Sequence, residues 1–219
     1  MALHPVVKSV YAFAPNRTTM GGTAYFATSA EGNILIDCPA WNTATENTLD
    51  QCGGVRWLVI THRGGIGGLT LVKQIQARYD CEVVIQEQEA YLLPELSLQT
   101  FQHDLVLFNH CRLLWTPGHS PGSSCLYFGT EGGILFTGRH LLPNAQGELV
   151  PLRVAKTFHW LRQLRSVQRL RDEFSLDTLQ LCCPGANTGF LRKQRVVRDT
   201  YQKLLALDLD ALKTLQPNL

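Results

Sequence analysis

The chain has 219 residues, of which 45% are hydrophobic and 17% charged, so it is long enough to bury a substantial core. Its formal net charge of +2 is too close to balance to indicate a nucleic-acid or membrane partner. No apolar run approaches the roughly 20 residues that span a bilayer, and the first residues do not follow the pattern of a secretory signal. These features predict a single cytoplasmic domain over residues 1–219.

Seven cysteines are spread along the chain without any C-x-x-C spacing. An odd number with no metal-ligand spacing is typical of reduced, packed thiols rather than of disulfides or an iron–sulfur site. The adjacent pair Cys182 and Cys183 is where we expect any redox sensitivity.

The first half of the chain begins with short strands and then alternates between helices and strands. Turn-forming residues separate apolar runs at 6–13, 23–28 and 33–37, which predicts a meander of strands. Helical and extended patterns follow in turn: a helix at 45–51, a strand at 57–60, a helix at 69–79 and a strand at 82–85. This order is typical of βαβ units.

The second half repeats this scheme of strands followed by helices. We predict strands at 112–115, 124–128 and 133–137, a helix at 157–174, a strand at 178–182 and a closing helix at 190–212. Two similar halves indicate two sheets packed face to face, with helices outside.

Three fragments stand out at the ends of predicted strands. Residues 60–69 read I-T-H-R-G-G-I-G-G-L, residues 116–123 read T-P-G-H-S-P-G-S, and residues 135–140 read L-F-T-G-R-H. Together they resemble the metallo-β-lactamase superfamily, which has T-H-x-H-x-D-H, T-P-G-H-T-x-G-S and L-F-T-G-D at these places. The resemblance covers residues 32 to 185 and implies an α/β fold, a four-layer αββα sandwich with the ligand-bearing loops along one edge.

One branch of the superfamily, found in photosynthetic organisms, has T-H-R-D-D-V-A-D-H in the first fragment. Residues 61–69 align with that pattern without a gap, but glycine replaces every acid and Leu69 replaces the last histidine. The chain is therefore similar to a branch whose metal ligands it has lost.

The resemblance implies that five of seven metal-ligand positions are changed. The positions of the first metal are His62, Gly64 and His119, so two of three ligands remain. The positions of the second metal hold residues that bind no metal: Ile66, Gly67, Arg139 and Ala186. A catalytic zinc needs about three protein ligands and a water. We therefore expect no metal cofactor and no catalytic residue, and any retained ion would rest on His62 and His119.

Arg139 occupies the position of the carboxylate that bridges the metals in the family pattern. Its guanidinium stays charged and repels a divalent ion at close range. If buried, it needs a carboxylate partner, for which Asp37 is the predicted residue because it aligns with the family's first-motif Asp. The alternative is that Arg139 points to solvent.

The histidines can also be explained by purely structural roles. His62 can hydrogen-bond within its turn, and His119 can cap its loop. His140 is expected to face away from Arg139, since neighbouring side chains alternate along a strand. No motif of the family pattern includes His103, His110 or His159.

Two surfaces suggest ligands other than metals. The glycine-rich turn 64–68 can offer backbone N–H groups to a small anion, although it lacks a Walker or dinucleotide pattern. The predicted helix at 157–174 has a basic face of Arg162, Arg165 and Arg169 opposite Leu161, Leu164 and Val167, and more basic residues follow it: Arg192, Lys193, Arg195 and Arg198. A solvated helix face and a phosphate-binding patch both explain this pattern.

These observations favour a non-catalytic protein of the metallo-β-lactamase fold that binds a protein partner or a small anion, with no membrane partner. The alternative is a metal-dependent hydrolase of ester, thioester or lactone bonds, with a non-standard single-metal site of zinc or iron at His62 and His119. A nucleic-acid binder that uses the Arg162 face is a third, less favoured hypothesis.

Overall fold

The structure is a computed structural model that describes residues 3–192 and 194–217, which form two compact units. The first unit ends at Gln102 and the second begins at His103. Each unit has its own large sheet and its own helices. Within the described residues, no helix combines the length and apolar character needed to cross a membrane.

The first unit contains a seven-stranded sheet in which the strands lie in sequence order. The strands are β1 (Leu3–Val7), β2 (Val10–Phe13), β3 (Tyr25–Ala27), β4 (Ile34–Ile36), β5 (Trp57–Ile60), β6 (Glu82–Gln86) and β7 (Leu98–Phe101). The first four are antiparallel, and β4 to β7 are parallel. The helices are α1 (Thr43–Gln51) and α2 (Leu69–Tyr79), with 3₁₀ turns at Arg17–Thr19, Arg63–Gly65 and Glu87–Leu92.

The central parallel strands β4 and β5 are buried on both faces, as continuous apolar runs require. All four residues of β5 are buried. Leu49 of α1 and Val72 and Ile75 of α2 join the same hydrophobic cluster. The helices therefore cover the strands whose carboxyl ends carry Asp37 and His62.

The second unit contains a six-stranded sheet with the order β15-β14-β11-β10-β9-β8. Its strands are β8 (Asp104–Phe108), β9 (Cys111–Trp115), β10 (Ser124–Phe128), β11 (Ile134–Gly138), β14 (Leu181–Pro184) and β15 (Val197–Arg198). A separate hairpin is formed by β12 (Leu142–Pro143) and β13 (Leu149–Val150). The helices are α3 (Trp160–Glu173), α4 (Thr200–Ala206) and α5 (Leu209–Lys213), with a 3₁₀ turn at Thr188–Leu191.

The predicted closing helix at 190–212 is wrong. The structure has a 3₁₀ turn, β15, α4 and α5 in that stretch. Arg192, Arg195 and Asp199 have φ angles of 56°, 55° and 55°, and this left-handed backbone cannot continue an α-helix. The apolar spacing that suggested one helix instead belongs to separate short elements. Lys193 lies outside the described residues.

Candidate functional site

Asp37 and His62 follow two neighbouring strands of the first unit. β4 and β5 are parallel with Ile36 opposite Val59, so the residues after them lie side by side. Asp37 is buried and has a φ of 58°, a left-handed conformation that Asp tolerates better than most residues. Its carboxylate accepts hydrogen bonds from the Thr61 N–H at 2.8 Å and the Thr61 hydroxyl at 2.7 Å.

This network fixes the tautomer of His62. The single hydroxyl proton of Thr61 goes to Asp37, so the hydroxyl oxygen must accept from Nδ1 of His62, which lies 2.9 Å away. The neutral ring therefore has its proton on Nδ1 and its lone pair on Nε2. The expectation that His62 hydrogen-bonds within its turn is confirmed. Outer-shell partners fix the tautomer of metal-ligating histidines in the same manner.

An added Cβ at Gly64 or Gly65, after His62, would have to displace a neighbouring side chain. A Cβ on Gly64 would lie 2.9 Å from Nε2 of His62, closer than real Cβ contacts. A Cβ on Gly65 would lie 2.1 Å from Oδ1 of Asp37. The His62 ring thus packs against the backbone from which a second ligand histidine would project.

Packing and an ion pair hold this glycine turn in place. Ile66, which aligns with a ligand position of the family pattern, is buried in the hydrophobic cluster of the first unit. The backbone N–H of Cys38 donates to the Gly65 carbonyl at 2.9 Å. Arg63 forms a salt bridge with the buried carboxylate of Glu89 at 3.2 Å. The turn is therefore tied to the 3₁₀ helix that contains Glu89, a contact that sequence analysis missed.

In the second unit, the loop that contains His119 is held against the start of α3. The N–H groups of Phe158 and His159 donate to the carbonyls of His119 and Gly118 at 3.2 and 2.9 Å. A Cβ on Gly118, which has a φ of 147°, would lie 2.3 Å from Cα of Gln163. Only glycine permits this approach, which explains the glycine of the T-P-G-H motif in packing terms.

The strand alternation from which the direction of His140 was predicted ends before this residue, because β11 ends at Gly138, and the prediction that His140 faces away from Arg139 stays a prediction. Gly138 has a φ of 51°, and the N–H of His140 donates to the Thr137 carbonyl at 2.8 Å, so the chain turns here. His140 is 0% exposed, and burial, followed by the charge interaction with His119, lowers its pKa to about 3. The ring is therefore neutral at physiological pH and close enough to His119 to influence it.

Buried polar atoms that have no hydrogen-bond partner among the described residues are concentrated around this loop and turn. Those in this region include Nδ1 and Nε2 of His140, the hydroxyls of Ser120 and Ser123, and Oε1 of Gln163. Gln163 is also bound to this region, since its Nε2 donates to the His140 carbonyl at 2.9 Å. Sequence analysis missed Gln163, although a glutamine flanked by apolar positions of an amphipathic helix is a usable signal.

Arg139 and Ala186 lie after neighbouring strands of the second unit. β11 and β14 are parallel, with Gly138 opposite Pro184. Arg139 is half-buried, and Ala186 is buried. The alignment of Ala186 with a metal-ligand position thus agrees with its place at the same sheet edge as Arg139. The predicted pairing of Arg139 with Asp37 stays a prediction.

The residues present do not fit the metal centre that the resemblance implies. Within residues 3–192 and 194–217, no three His, Cys, Asp or Glu side chains are grouped in a way that can hold an ion. Two positions of the first unit lack side chains, and the packing of His62 and Asp37 closes the space beside them. The donor set is thus too small for the three protein ligands of a catalytic zinc.

The basic face of α3 is largely engaged within the second unit. Arg169 forms salt bridges with Asp104 at 2.5 Å and Glu173 at 3.4 Å. The guanidinium of Arg162 lies over the Trp115 ring, 5.2 Å from its centroid. The predicted apolar stripe is only partly correct, because Leu161 is 45% exposed. These contacts favour the explanation of a structural helix face over a phosphate-binding patch.

The cysteines are structural. All seven are free and six are buried, which confirms the prediction of packed thiols. Burial raises the pKa of Cys182 to about 12 and that of Cys183 well above its usual value. Because the thiolate is the reactive species, this burial argues against redox sensitivity at the adjacent pair.

Comparison with known proteins gives a partial sequence match. No family model matches the chain. Over 81 residues, the chain is 35% identical to an N-acyl homoserine lactonase of Bacillus thuringiensis, a stretch that covers 35% of this chain and 32% of the lactonase. The chain therefore spans about a third of the length of the curated relatives that it matches.

Solved structures match most of the chain. A metallo-β-lactamase family protein from Thermus thermophilus has a TM-score of 0.65 and 18% identity, over 95% of this chain and 81% of that chain. A second crystal structure, in a di-iron-bound form, has a TM-score of 0.59 and 22% identity, over 83% of this chain and 92% of that chain. The likeness shows the fold alone. The fold class predicted from the sequence, that of the metallo-β-lactamases, is confirmed.

Proposed function

We propose that this chain, which has the metallo-β-lactamase fold, is a non-catalytic member of the group that binds a protein partner or a small anion. The observation that carries the proposal is the packing of the glycine turn, where Gly64 and Gly65 lie against His62 and Asp37. Substitution of a large residue by glycine alone would leave a gap. Here the side chains of His62 and Asp37 occupy the space beside Gly64 and Gly65. No hydrolytic step is therefore assigned to any residue.

Residues beside the glycine turn support a role in protein binding. Met20 is 69% exposed, and its Cε lies 3.8 Å from the position of a Cβ on Gly64. Tyr91 is 67% exposed on the 3₁₀ helix whose Glu89 pairs with Arg63. Tyrosine, methionine and arginine are enriched in protein interfaces. We therefore place the partner-binding surface of the first unit around Met20, Arg63 and Tyr91.

The small anion is proposed to bind at the start of α2. No side chain caps this helix at Gly68, and a Cβ there would meet open space. Backbone N–H groups at such a helix start attract negative charge. Titration of the labelled protein with inorganic phosphate, followed by the amide NMR signals of Gly67, Gly68 and Leu69, separates the two ligand classes. Saturable shifts support the anion, and unchanged signals leave the protein partner as the proposed ligand.

A metal-dependent hydrolase is the second candidate, because the Asp37–Thr61–His62 network fixes the tautomer that a metal ligand needs. Zinc, iron and manganese measured in the purified chain, together with assays on lactone, thioester and phosphodiester substrates, separate the candidates. We expect far less than one ion per chain and no turnover. One ion per chain, or hydrolysis abolished by His62→Ala but not by His110→Ala, would overturn the proposal.

A further inference from the structure

The second unit has a cavity that involves none of the former metal-ligand positions. It has a volume of about 580 Å³ and lies between the hairpin strand β13 and the helices α4 and α5. Leucine side chains supply much of its wall: Leu149, Leu207, Leu212 and Leu215. Small-molecule sites have volumes of roughly 300 to 1,000 Å³ and mostly apolar walls, so size and lining both suit a small ligand.

The walls of this cavity are fixed by packing and hydrogen bonds. Leu149 is buried in the hydrophobic cluster of the second unit. Nε1 of Trp160 donates to the Leu212 carbonyl at 2.7 Å, which ties α5 to the start of α3. Arg153 donates to the carbonyl of Leu215. The cavity is therefore part of the folded unit, and Trp160 lies close enough to report a change in it.

The charged residues that line the cavity have a negative balance. Glu148 and Asp208 contribute two carboxylates, and Lys203 contributes one ammonium. Each has a structural contact: Glu148 accepts from Asn144 Nδ2 at 2.8 Å, Asp208 caps α5, and Lys203 donates to the Arg198 carbonyl at 2.7 Å. None of these contacts places a cation against either carboxylate. A ligand with a positive group is thus favoured over one with a negative group.

A second cleft, of about 630 Å³, lies on the other side of α5 and has the opposite charge balance. Its lining includes Arg165, Arg171 and Lys213 against Asp208 and Asp210. The two clefts share α5 and Asp208 but differ in the sign of their charge. Asp210 lines only the second cleft, so it provides a control for charge effects on the same helix.

We propose that the 580 Å³ cavity binds a small amphipathic cation, an alkyl chain that carries one ammonium group. The alkyl chain packs against the leucines, and removal of its surface from water drives binding. The ammonium lies at the mouth beside Glu148 and Asp208. This site is independent of the proposed loss of metal chemistry.

The test is a titration of the full chain with decylammonium, decanol and decanoate, each below its micelle-forming concentration. Calorimetry and Trp fluorescence report binding. We expect one saturable site that prefers decylammonium to decanoate by about tenfold, since the charge at the mouth acts in opposite directions on the two head groups. Decanol should bind with intermediate affinity.

Amino-acid substitutions test whether the ligand binds in this cavity. Asp208→Asn keeps a good N-cap and Glu148→Gln keeps a hydrogen-bond acceptor, and each should weaken decylammonium binding by about threefold. Asp210→Asn makes the same charge change outside the cavity and should have no effect. Ala211→Trp fills the cavity and should abolish binding, with circular dichroism to show that the variant is folded.

Several results would overturn the proposal. These are the absence of saturable binding, decanoate or decanol binding as tightly as decylammonium, and an effect of Asp210→Asn equal to that of Asp208→Asn. Full binding by folded Ala211→Trp would place the ligand elsewhere and would also contradict it.

Discussion

The two loops whose histidine aligns with the metal-binding pattern differ in how the histidine and its neighbours are packed. In the first unit, His62 is hydrogen-bonded through Thr61 to Asp37, and both side chains pack against Gly64 and Gly65. In the second unit, the loop around His119 keeps its backbone contacts to α3, and both ring nitrogens of nearby His140 lack hydrogen-bond partners among the described residues.

This difference teaches that two loops with a histidine of the same pattern can be packed in different ways. Glycine lets the backbone approach its neighbours closely, as at Gly65 and Asp37. In the second unit, Arg139 is half-buried and Ala186 is buried. The first unit therefore has a closely packed turn, and the second unit has a loop with buried polar groups.

The largest effect is expected in the second unit, from Gly118→Ala. The added Cβ meets the backbone of Gln163 at 2.3 to 2.4 Å, and backbone cannot rotate away. With the strain of a φ of 147°, we expect a loss of about 4 kcal/mol in the free energy of unfolding. Urea denaturation followed by circular dichroism measures it. A loss below about 1 kcal/mol would show that this loop is not tightly held by α3.

Gly65→Ala tests whether the glycine turn of the first unit is packed closely against Asp37. The Cβ would meet the Asp37 carboxylate at 2.1 Å, and a side chain can shift more easily than backbone, so we expect a smaller loss of about 2 to 3 kcal/mol. Gly189→Ala is the matched control, because Gly189 also lies in a 3₁₀ helix and has open space around it. Equal stability of the two variants would mean that the turn is not packed as described.

Because His140 of the second unit is buried, we expect the free energy of unfolding to fall in acid. Burial, and then His119, lowers its pKa to about 3, below the ordinary value of 6.5. As pH falls through 6.5, the unfolded chain binds a proton that the folded chain does not, so stability declines between about pH 6.5 and 3. From about pH 7 to pH 5 the loss from this group is about 2 kcal/mol.

His140→Leu should remove that loss, and urea unfolding at the two pH values measures it. The leucine also replaces polar atoms that have no partner among the described residues, so stability at neutral pH should be equal or higher. His110→Leu, at an exposed histidine, controls for the change in composition. If wild type and His140→Leu lose the same stability on acidification, His140 is not buried as a neutral ring.

The smallest effect is expected from Thr61→Val, which cuts the hydrogen-bond network of the first unit. Asp37 loses one donor and His62 loses one acceptor, with an expected loss of about 1 to 2 kcal/mol. Nitrogen-15 NMR of the imidazole should show the Nδ1–H tautomer of His62 in wild type and a change in the variant. If His62 has the same tautomer in wild type and in the variant, Thr61 does not determine that tautomer.

Much of the framework was predictable because the signals are local. The apolar run of β5 and the amphipathic period of α2 gave the observed bounds, Trp57–Ile60 and Leu69–Tyr79. The closing helix failed because its apolar period continued through residues with left-handed backbone, such as Arg195 and Asp199. Arginine has no preference for that conformation, and the tolerance of Asp for it is too weak to predict a break in the helix.

For the candidate site, the sequence motifs predict which residues are involved but not how these residues pack. Motif spacing located His62, Gly64, His119 and Arg139, whereas the close approach of Asp37 to Gly65 depends on contacts between distant parts of the first unit. The argument for the direction of His140 extended strand alternation past Gly138, where β11 ends. A glycine at the end of a predicted strand is the signal that should have stopped that extension.

The most direct test of the closed site is the zinc dependence of the unfolding free energy of Gly64→His, the variant that restores the third histidine of the first-metal pattern. We expect a loss of about 1 to 3 kcal/mol, because the new side chain displaces the His62 ring, with no rise on addition of zinc. A variant that zinc stabilises by several kcal/mol, at one ion per chain, would contradict this account.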